Sequence, residues 1–364
     1  MTECMVVDHG QAYRVFGAAL DASDDPLAIG LKHAAMDAAE NGVGDFYADL
    51  YDAIAPCLPG LNRRIELIGK VAIPSWLASR PLPVDRGLVS RERMEAFVRG
   101  GGLLRLSTQL KSFVQEKVFP AAPVMLGVDH SATGGVVSAL SEELGPENLG
   151  IVVIDQHFDC LPISLRVGTG SLVGLSLPGE TGVLHGAGND DEYCCGDFWK
   201  YLIDSGVVLP ENLMFIGVAD YPEKEASPGW ETYRENYLRF EKLGCSFFPL
   251  REFEGRYAEK LQTFVKENVA TPHVYVSLDL DVGSYRCVHA ARYMDREGID
   301  RSALMGIARI VGESARAGKF RLAGVDIMEF NVHFLELETP GGTKDETLGV
   351  ARDFLAELLV GESV

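Results

Sequence analysis

The sequence predicts an α/β protein of three layers, in which helices cover both faces of a mostly parallel central sheet. Two observations support this fold class. Short runs of consecutive apolar residues, such as 151–154, are typical of strands that are buried on both faces of a parallel sheet. From residue 123 onward, these runs alternate with segments of helical composition and periodicity.

The first 120 residues predict one strand and two long helices. The strand is expected over 13–20, before an aspartate-rich turn. Helices are expected over 27–56 and 91–116, and three glycines at 100–102 interrupt the second one. The stretch 56–91 is rich in proline and glycine and is expected to be irregular. No group of chemically reactive residues stands out in this part of the chain.

The remainder of the chain predicts a regular alternation of strands and helices. A glycine-rich stretch without helical periodicity, 160–195, predicts an inserted loop over a functional site. No linker, repeat or low-complexity run divides the sequence, so residues 1–364 are predicted to form a single domain. Strands are expected at 124–127, 151–154, 213–218, 246–250, 273–281 and 322–329, and helices at 136–144, from 198, at 233–243, 257–268, 301–316 and 345–359.

Composition limits the partners and the cellular location. The net charge of −20 argues against nucleic acid and anionic membrane surfaces as partners. No apolar run approaches the roughly 18 residues that cross a bilayer, and the N-terminal residues do not resemble a signal peptide. The seven cysteines are irregularly spaced and odd in number, which favours a reduced protein. A cytoplasmic location is therefore expected.

Ionisable side chains cluster where three predicted strands end. Alternating positions of an extended chain point the same way, so the three side chains that follow strand 151–154 leave the sheet together. Ligands of parallel α/β sheets bind at this carboxyl edge. Each motif alone is also compatible with turn chemistry or a hydrogen-bonded cap, but their combination favours two metal ions of the Mn²⁺, Ni²⁺, Fe²⁺ or Zn²⁺ type. The candidate ligands are His130, Asp155, His157, Asp159, Asp279 and Asp281.

These motifs resemble those of the ureohydrolases, a family that includes arginase, agmatinase, guanidinobutyrase and formimidoylglutamase. Residues 127–131 are similar to the family's Gly-Gly-Asp-His-Ser motif, and residues 155–159 to its Asp-Ala-His-x-Asp motif. Residues 277–281 resemble the beginning of Ser-x-Asp-x-Asp-x-x-Asp-Pro, and residues 326–331 resemble Asp-x-x-Glu-x-Asn. The resemblance covers residues 120–360, and it implies the arginase-like α/β fold.

The resemblance also implies a binuclear metal centre with two Mn²⁺ ions, or alternatively Ni²⁺. A hydroxide held between the metals attacks the central carbon of a planar guanidinium. Glu329 is implied to hold the guanidinium nitrogens, because a carboxylate suits a fork of N–H donors. Asp155 and Asp279 are implied to bridge the metals. The implied ligands are His130, Asp155, Asp159 and Asp279 for one metal, and Asp155, His157, Asp279 and Asp281 for the other.

The chain departs from the family pattern in the parts that select the substrate. Over the first 120 residues only 16–21 resembles the family, and the third motif breaks after Asp281. The histidine of the family's proton-shuttle motif aligns with Cys195, while His185 in the predicted loop is an alternative for the same role. The apolar stretch 160–163 argues against arginine as the substrate. Three arginines are candidates to bind a substrate carboxylate instead, namely Arg166, Arg286 and Arg292.

The sequence therefore predicts a metal-dependent hydrolase that releases urea from a small cationic guanidino compound, as agmatinase and guanidinobutyrase do. A formimino hydrolase like formimidoylglutamase is an alternative, and the substrate is then a formimino compound. An amide hydrolase of the deacetylase type is a further alternative, although such enzymes keep a single catalytic metal. The broken third motif also supports a non-catalytic, metal-binding paralogue or subunit. A homo-oligomer, trimeric or hexameric, is implied by the resemblance.

Overall fold

The computed structural model describes residues 11–43, 47–60, 64–160, 193–219, 221–222, 231–294, 296–338, 342 and 344–360. Within these residues, eight strands form one sheet in the order β2-β1-β3-β8-β7-β4-β5-β6, and every pair of neighbours is parallel. The strands are β1 Tyr13–Ala18, β2 Ile65–Lys70, β3 Ala122–Gly127, β4 Leu149–Ile154, β5 Leu213–Ile216, β6 Ser246–Phe248, β7 His273–Asp279 and β8 Arg321–Met328.

At least one helix lies between each pair of strands that are consecutive along the described chain. The helices are α1 Pro26–Glu40, α2 Leu50–Ile54, α3 Arg91–Arg99, α4 Gly102–Phe113, α5 Thr133–Leu144, α6 Phe198–Asp204, α7 Glu231–Leu243, α8 Tyr257–Asn268, α9 Arg301–Arg316 and α10 Thr347–Leu359. None of the helices in the described part of the chain is long and apolar enough to cross a membrane.

The central strands are buried on both faces, as their uninterrupted apolar sequences predict. Side chains of β4 alternate between two apolar cores: Val152 and Ile154 pack into one, and Ile151 and Val153 into the other. The first core contains residues of α8, α9 and α10, and the second contains residues of α3, α4 and α5. The predicted three-layer α/β architecture is thus confirmed, and the described sheet is parallel throughout.

Two local predictions in the N-terminal region are wrong. The stretch 56–91 contains β2, which lies at the edge of the described sheet beside β1. Among its residues only Ile65 is buried, so β2 lacks the apolar signature of a central strand. The helix predicted over 27–56 ends at Glu40, because Asn41 caps it and Gly42 follows with a φ of +65°. A short second helix, α2, begins at Leu50.

Candidate metal centre

The six predicted ligands lie at one edge of the sheet. Strands β3, β8, β7 and β4 are consecutive neighbours, so the segments that leave their carboxyl ends lie side by side. His130 follows β3 and Asp279 ends β7. The segment after β4 supplies Asp155, and Glu329 follows β8. Residues from distant parts of the chain therefore face a common space.

One group of ligand atoms surrounds the ring of His130. Its Nδ1 atom lies 3.3 Å from Asp155 Oδ2, 3.1 Å from Asp159 Oδ2 and 3.1 Å from Asp279 Oδ2. These ligand atoms all lie within 4.8 Å of one another, close enough to share one ion. His130 Nδ1 and Asp155 Oδ2 are both buried without a hydrogen-bond partner. Buried polar atoms normally have such a partner, so a bound cation would resolve this pair.

A second group contains His157, Asp281 and again Asp155. His157 Nδ1 lies 2.7 Å from Asp281 Oδ2 and 3.8 Å from Asp155 Oδ1. Asp155 thus offers one oxygen to each group, as a bridging carboxylate does. Asp279 was expected to bridge as well. Its Oδ1 accepts the backbone N–H of Asp281 at 2.9 Å, just as Asp155 Oδ1 accepts that of His157 at 2.6 Å, and its bridging role stays a prediction.

The electrostatics of the centre favour a positive charge. Burial raises the pKa of Asp155 to about 7, and the nearby Asp279 and Asp159 add to the effect. Burial and Asp279 also raise the pKa of Asp281 well above its ordinary value. Burial alone lowers the pKa of His130, but the three carboxylates around its ring raise it well above that of a free histidine. The raised pKa values mean that these buried groups favour a bound proton, and a metal cation would supply the same positive charge. The oxygen and nitrogen donors suit a divalent transition metal.

A hydrogen-bond chain behind His130 orients its ring. His130 Nε2 lies 2.9 Å from Ser277 Oγ, and Ser277 donates to Asp326 Oδ1 at 2.8 Å. Tyr275 and Thr133 each donate to Asp326 Oδ2 at 2.6 Å. Because Ser277 donates its hydroxyl proton to Asp326, it accepts from Nε2–H, so Nδ1 is the nitrogen that faces the carboxylates and would ligate a metal.

The sequence contains signals for part of this supporting chain. Ser277 and Asp326 lie within the quoted motifs, and each is a polar residue inside a buried strand. Neither was assigned a role from the sequence, and Tyr275 and Thr133 were not singled out at all. A buried polar residue two positions before a ligand on the same strand is the signal that identifies Ser277, because both side chains then share one face.

Glu329 lies beside the first group in a strained backbone conformation. Its φ is +62°, in the left-handed region, and a non-glycine residue in such a conformation costs of order 1–3 kcal/mol. Glu329 Oε1 accepts the backbone N–H of His130 at 3.1 Å. Its Oε2 is buried without a hydrogen-bond partner. Asp159 and Tyr293 also have positive φ values, of 46° and 52°.

A buried cluster of charges adjoins Glu329. Arg292 Nε lies 3.6 Å from Glu329 Oε2, and Arg292 Nη1 lies 3.5 Å from Asp21 Oδ1. Lys32 Nζ lies 3.5 Å from the same oxygen of Asp21. Burial raises the pKa of Glu329 well above its ordinary value, while Arg292 acts to lower it. Burial acts to lower the pKa of Arg292, but Tyr293, Asp21 and Glu329 raise it, so the guanidinium stays charged.

The sequence did not predict that N-terminal residues contribute to this cluster. Asp21 ends the stretch 16–21 that resembles the family, yet no role was predicted for it. Lys32 lies four residues before Met36, and both side chains are on the buried side of α1. This spacing from a core residue is the sequence signal that could have identified Lys32 as buried. The pairing of Arg292 with Glu329 was also not predicted.

The structure brings one of the two proton-shuttle candidates near the centre. Cys195 is partly buried just before α6, and burial together with the charges of Asp129 and Glu329 raises the pKa of its thiol well above the ordinary value. It is therefore a neutral thiol at neutral pH. His185, Arg166 and most of the predicted loop 160–195 lie outside the described residues. Arg286 is exposed and pairs with Glu297.

Comparisons with known proteins place this geometry in context. A family model described as Arginase family matches residues 65–359. The arginase of Staphylococcus aureus (strain COL) is 30% identical over 121 residues, which are 33% of this chain and 34% of the relative. This alignment thus spans about a third of the length of the curated relatives.

Solved structures share the fold over nearly the whole chain. The arginase from Bacillus caldovelox has a TM-score of 0.59 at 16% identity and covers 98% of this chain and 100% of its own. Proclavaminate amidino hydrolase from Streptomyces clavuligerus has a TM-score of 0.55 at 20% identity, covering 96% and 91%. Formimidoylglutamase from Bacillus subtilis has a TM-score of 0.53 at 15% identity, covering 97% and 87%. At these identities, the similarity shows a shared fold and nothing more specific.

Proposed function

The chain belongs to the arginase family, and on that premise we propose that it is a hydrolase that depends on two metal ions and cleaves a C–N bond of a guanidino-type substrate. The observation that carries this proposal is the shared carboxylate of Asp155. It offers one oxygen to each of two ligand groups, and one of these oxygens is buried without a hydrogen-bond partner. Such an arrangement suits two ions that lie close together.

The six ligands proposed from the sequence fit a pair of divalent cations. The first group supplies three carboxylate oxygens and an imidazole nitrogen, and the second supplies two carboxylates and an imidazole. We propose Mn²⁺ as the metal, with Ni²⁺ as the alternative, because this donor set suits both. When bound, two such ions supply positive charge and a water molecule activated at neutral pH.

Glu329 is proposed to bind and orient the substrate. It is fixed by its positive-φ backbone and by the hydrogen bond from His130 N, which leaves Oε2 free of hydrogen bonds and adjacent to the ligand groups. A carboxylate in this position accepts N–H groups of a planar guanidinium and holds its central carbon against the metal-binding edge. Proton transfer to the leaving amine is proposed for His185 or for Cys195.

A formimino hydrolase is the second candidate. Its support is the neutral thiol of Cys195, which occupies the position aligned with the histidine of arginase-type motifs. A formimino group is also a planar amidine, so Glu329 would accept its N–H donors in the same way. The products separate the candidates, because guanidino compounds release urea and formimino compounds release formamide or ammonia.

Product release from the metal-loaded protein tests the proposal. The protein is loaded with Mn²⁺ or Ni²⁺, its metal content is measured, and it is offered agmatine, 4-guanidinobutyrate, arginine and formiminoglutamate. We expect two metals per chain and urea release from a guanidino compound, with Asp155→Asn inactive. Two bound metals without turnover of any of these compounds would refute the proposal and favour a non-catalytic paralogue. A homo-oligomer is proposed on the family resemblance, and sedimentation tests it. A cytoplasmic location is proposed on the irregularly spaced, odd number of cysteines.

A further inference from the structure

An arginine of this chain lies beside the carboxylate that is proposed to bind the substrate's guanidinium. Arg292 is 8% exposed and Glu329 is 2% exposed, so the pair is almost fully buried. The Arg292 backbone N–H donates to the Glu329 carbonyl oxygen at 2.8 Å, and this bond ties the two segments together. Glu329 thus has a guanidinium neighbour before any substrate enters.

Neighbouring side chains hold the Arg292 guanidinium in one orientation. Nη2 donates to Tyr293 Oη at 2.7 Å, and the guanidinium lies over the Tyr293 ring with its carbon 4.8 Å from the ring centroid. Tyr293 Oη in turn lies 3.3 Å from Ser23 Oγ. Nε faces Glu329 and Nη1 faces Asp21. Because all three guanidinium nitrogens have polar neighbours, the Arg292 side chain is held in a fixed position beside Glu329.

Two acids and two bases of this cluster face one another. Asp21 and Glu329 are the acids, and Lys32 and Arg292 are the bases, so each of these two carboxylates already has a cationic neighbour. The buried carboxylate of Asp129 also acts on Lys32, Arg292 and Glu329. A purely cationic guanidine placed at Glu329 adds a positive charge beside Arg292 in a buried environment, where repulsion between like charges is strong. A substrate with a guanidinium and a carboxylate adds no net charge.

Two atoms of the cluster match the two ends of such a zwitterion. Arg292 Nη1 is a buried donor without a hydrogen-bond partner, with Asp21 Oδ1 3.5 Å away, and Glu329 Oε2 is a buried acceptor without one, 3.6 Å from Arg292 Nε. Buried polar atoms in this state favour a ligand that completes their bonds. A carboxylate suits the donor and a guanidinium or formimino N–H suits the acceptor.

We infer that Arg292 determines specificity, so that the site accepts guanidino or formimino compounds bearing a carboxylate and discriminates against purely cationic guanidines. This inference rests on the proposed hydrolase function and names its substrate class. The departure from the family's third motif thus has a consequence: the segment after Asp281 supplies an arginine that selects the substrate by charge.

A matched pair of compounds tests the inference. 4-Guanidinobutyrate and agmatine carry the same guanidinium on chains of similar length, but one ends in a carboxylate and the other in an ammonium. Dissociation constants are measured by calorimetry with the metal-loaded protein, and kcat/KM by urea release. We expect the protein to prefer 4-guanidinobutyrate by roughly 10- to 100-fold, the range for one charge-assisted hydrogen bond. Equal or tighter binding of agmatine overturns the inference.

Arg292→Met then removes the guanidinium at similar length. The preference for 4-guanidinobutyrate is expected to collapse or invert, while Arg292→Lys, which keeps the charge, retains part of it. Arg309→Met is the control, because Arg309 is a partly exposed arginine on α9 that pairs with Glu357 of α10. A folded Arg292→Met variant with an unchanged preference overturns the inference.

The two proposals fail in different ways. If the metal-loaded wild-type protein hydrolyses none of agmatine, 4-guanidinobutyrate, arginine and formiminoglutamate, the proposed function fails, and the calorimetric preference still decides the inference about Arg292. If it hydrolyses agmatine and 4-guanidinobutyrate with equal kcat/KM and binds both equally, the hydrolase proposal stands and the inference fails. If Arg292→Met does not fold, the wild-type binding preference and Arg292→Lys decide.

Discussion

His130 Nδ1 and Asp155 Oδ2 lie 3.3 Å apart in the buried centre, and neither has a hydrogen-bond partner. A metal ion between them would complete both. Because Asp155 belongs to both ligand groups, we predict that Asp155→Asn lowers affinity for both metals by more than about 100-fold, beyond the effect of losing an outer-sphere contact. Metal content per chain after dialysis against buffered Mn²⁺ measures this.

The control for this substitution is Asp37→Asn, which removes an exposed carboxylate that pairs with Arg86. It is expected to leave metal content unchanged. Retention of two tightly bound metals by Asp155→Asn would show that Asp155 is not the shared ligand.

Stability of the metal-free protein is predicted to fall as the pH rises. Burial raises the pKa of Asp155 from 3.8 to about 7, so the folded state binds a proton between these values that the unfolded state has lost. The stabilising contribution of this proton is complete below about pH 4 and is lost as the pH rises to 7. The raised pKa of His130 acts in the same direction, since its contribution is lost as the pH rises through the folded-state value.

We therefore expect the Tm of protein kept in EDTA to fall by about 5 °C between pH 5 and pH 8. Saturating Mn²⁺ is expected to abolish most of this fall, because protons compete with the metal for the same ligands, so the stability that metal binding adds to the folded state increases as the pH rises. Thermal unfolding at a series of pH values measures both effects. A Tm of the metal-free protein that rises from pH 5 to pH 8 contradicts the prediction.

Much of the fold was predictable because the central strands carry their own signature. Runs such as 151–154 are apolar on both faces, and only a sheet covered on both sides buries them completely. The edge strand β2 lacks that signature, since several of its residues are exposed. The helix predicted across 27–56 failed for a local reason, the stop at Asn41 and Gly42, which the irregular apolar pattern did not reveal.

The candidate ligands were predictable because each lies in a short motif at or directly after the end of a strand, and a parallel sheet brings the carboxyl ends of its strands together. The charge cluster around Glu329 was not, because Asp21, Lys32 and Arg292 come from the two ends of the chain and no short motif links them.

Ser277 is predicted to position His130 without touching a metal. Ser277→Ala removes the acceptor for His130 Nε2 and the link to Asp326, so the ring can rotate or change tautomer. Loss of such a supporting contact typically lowers metal affinity by about 10- to 100-fold. Competition with a metal-sensitive fluorescent chelator measures the change.

Tyr275→Phe is the matched variant for this prediction. It removes one of three hydroxyl donors to Asp326 and leaves the Ser277 link intact, so its effect on metal affinity is expected to be smaller. If Tyr275→Phe weakens metal binding more than Ser277→Ala does, orientation of His130 through Ser277 is not the mechanism.

Glu329→Gln is predicted to separate substrate binding from metal binding. The amide keeps the size of the side chain and the hydrogen bond from His130 N, but it loses the negative charge that pairs with a guanidinium. Metal content is expected to stay at the wild-type value, whereas kcat/KM for the guanidino substrate falls by at least about 100-fold, because charge-assisted hydrogen bonds to the reacting group are lost. Parallel measurement of metal content and urea release checks this, and loss of metal together with activity would instead make Glu329 part of the metal site.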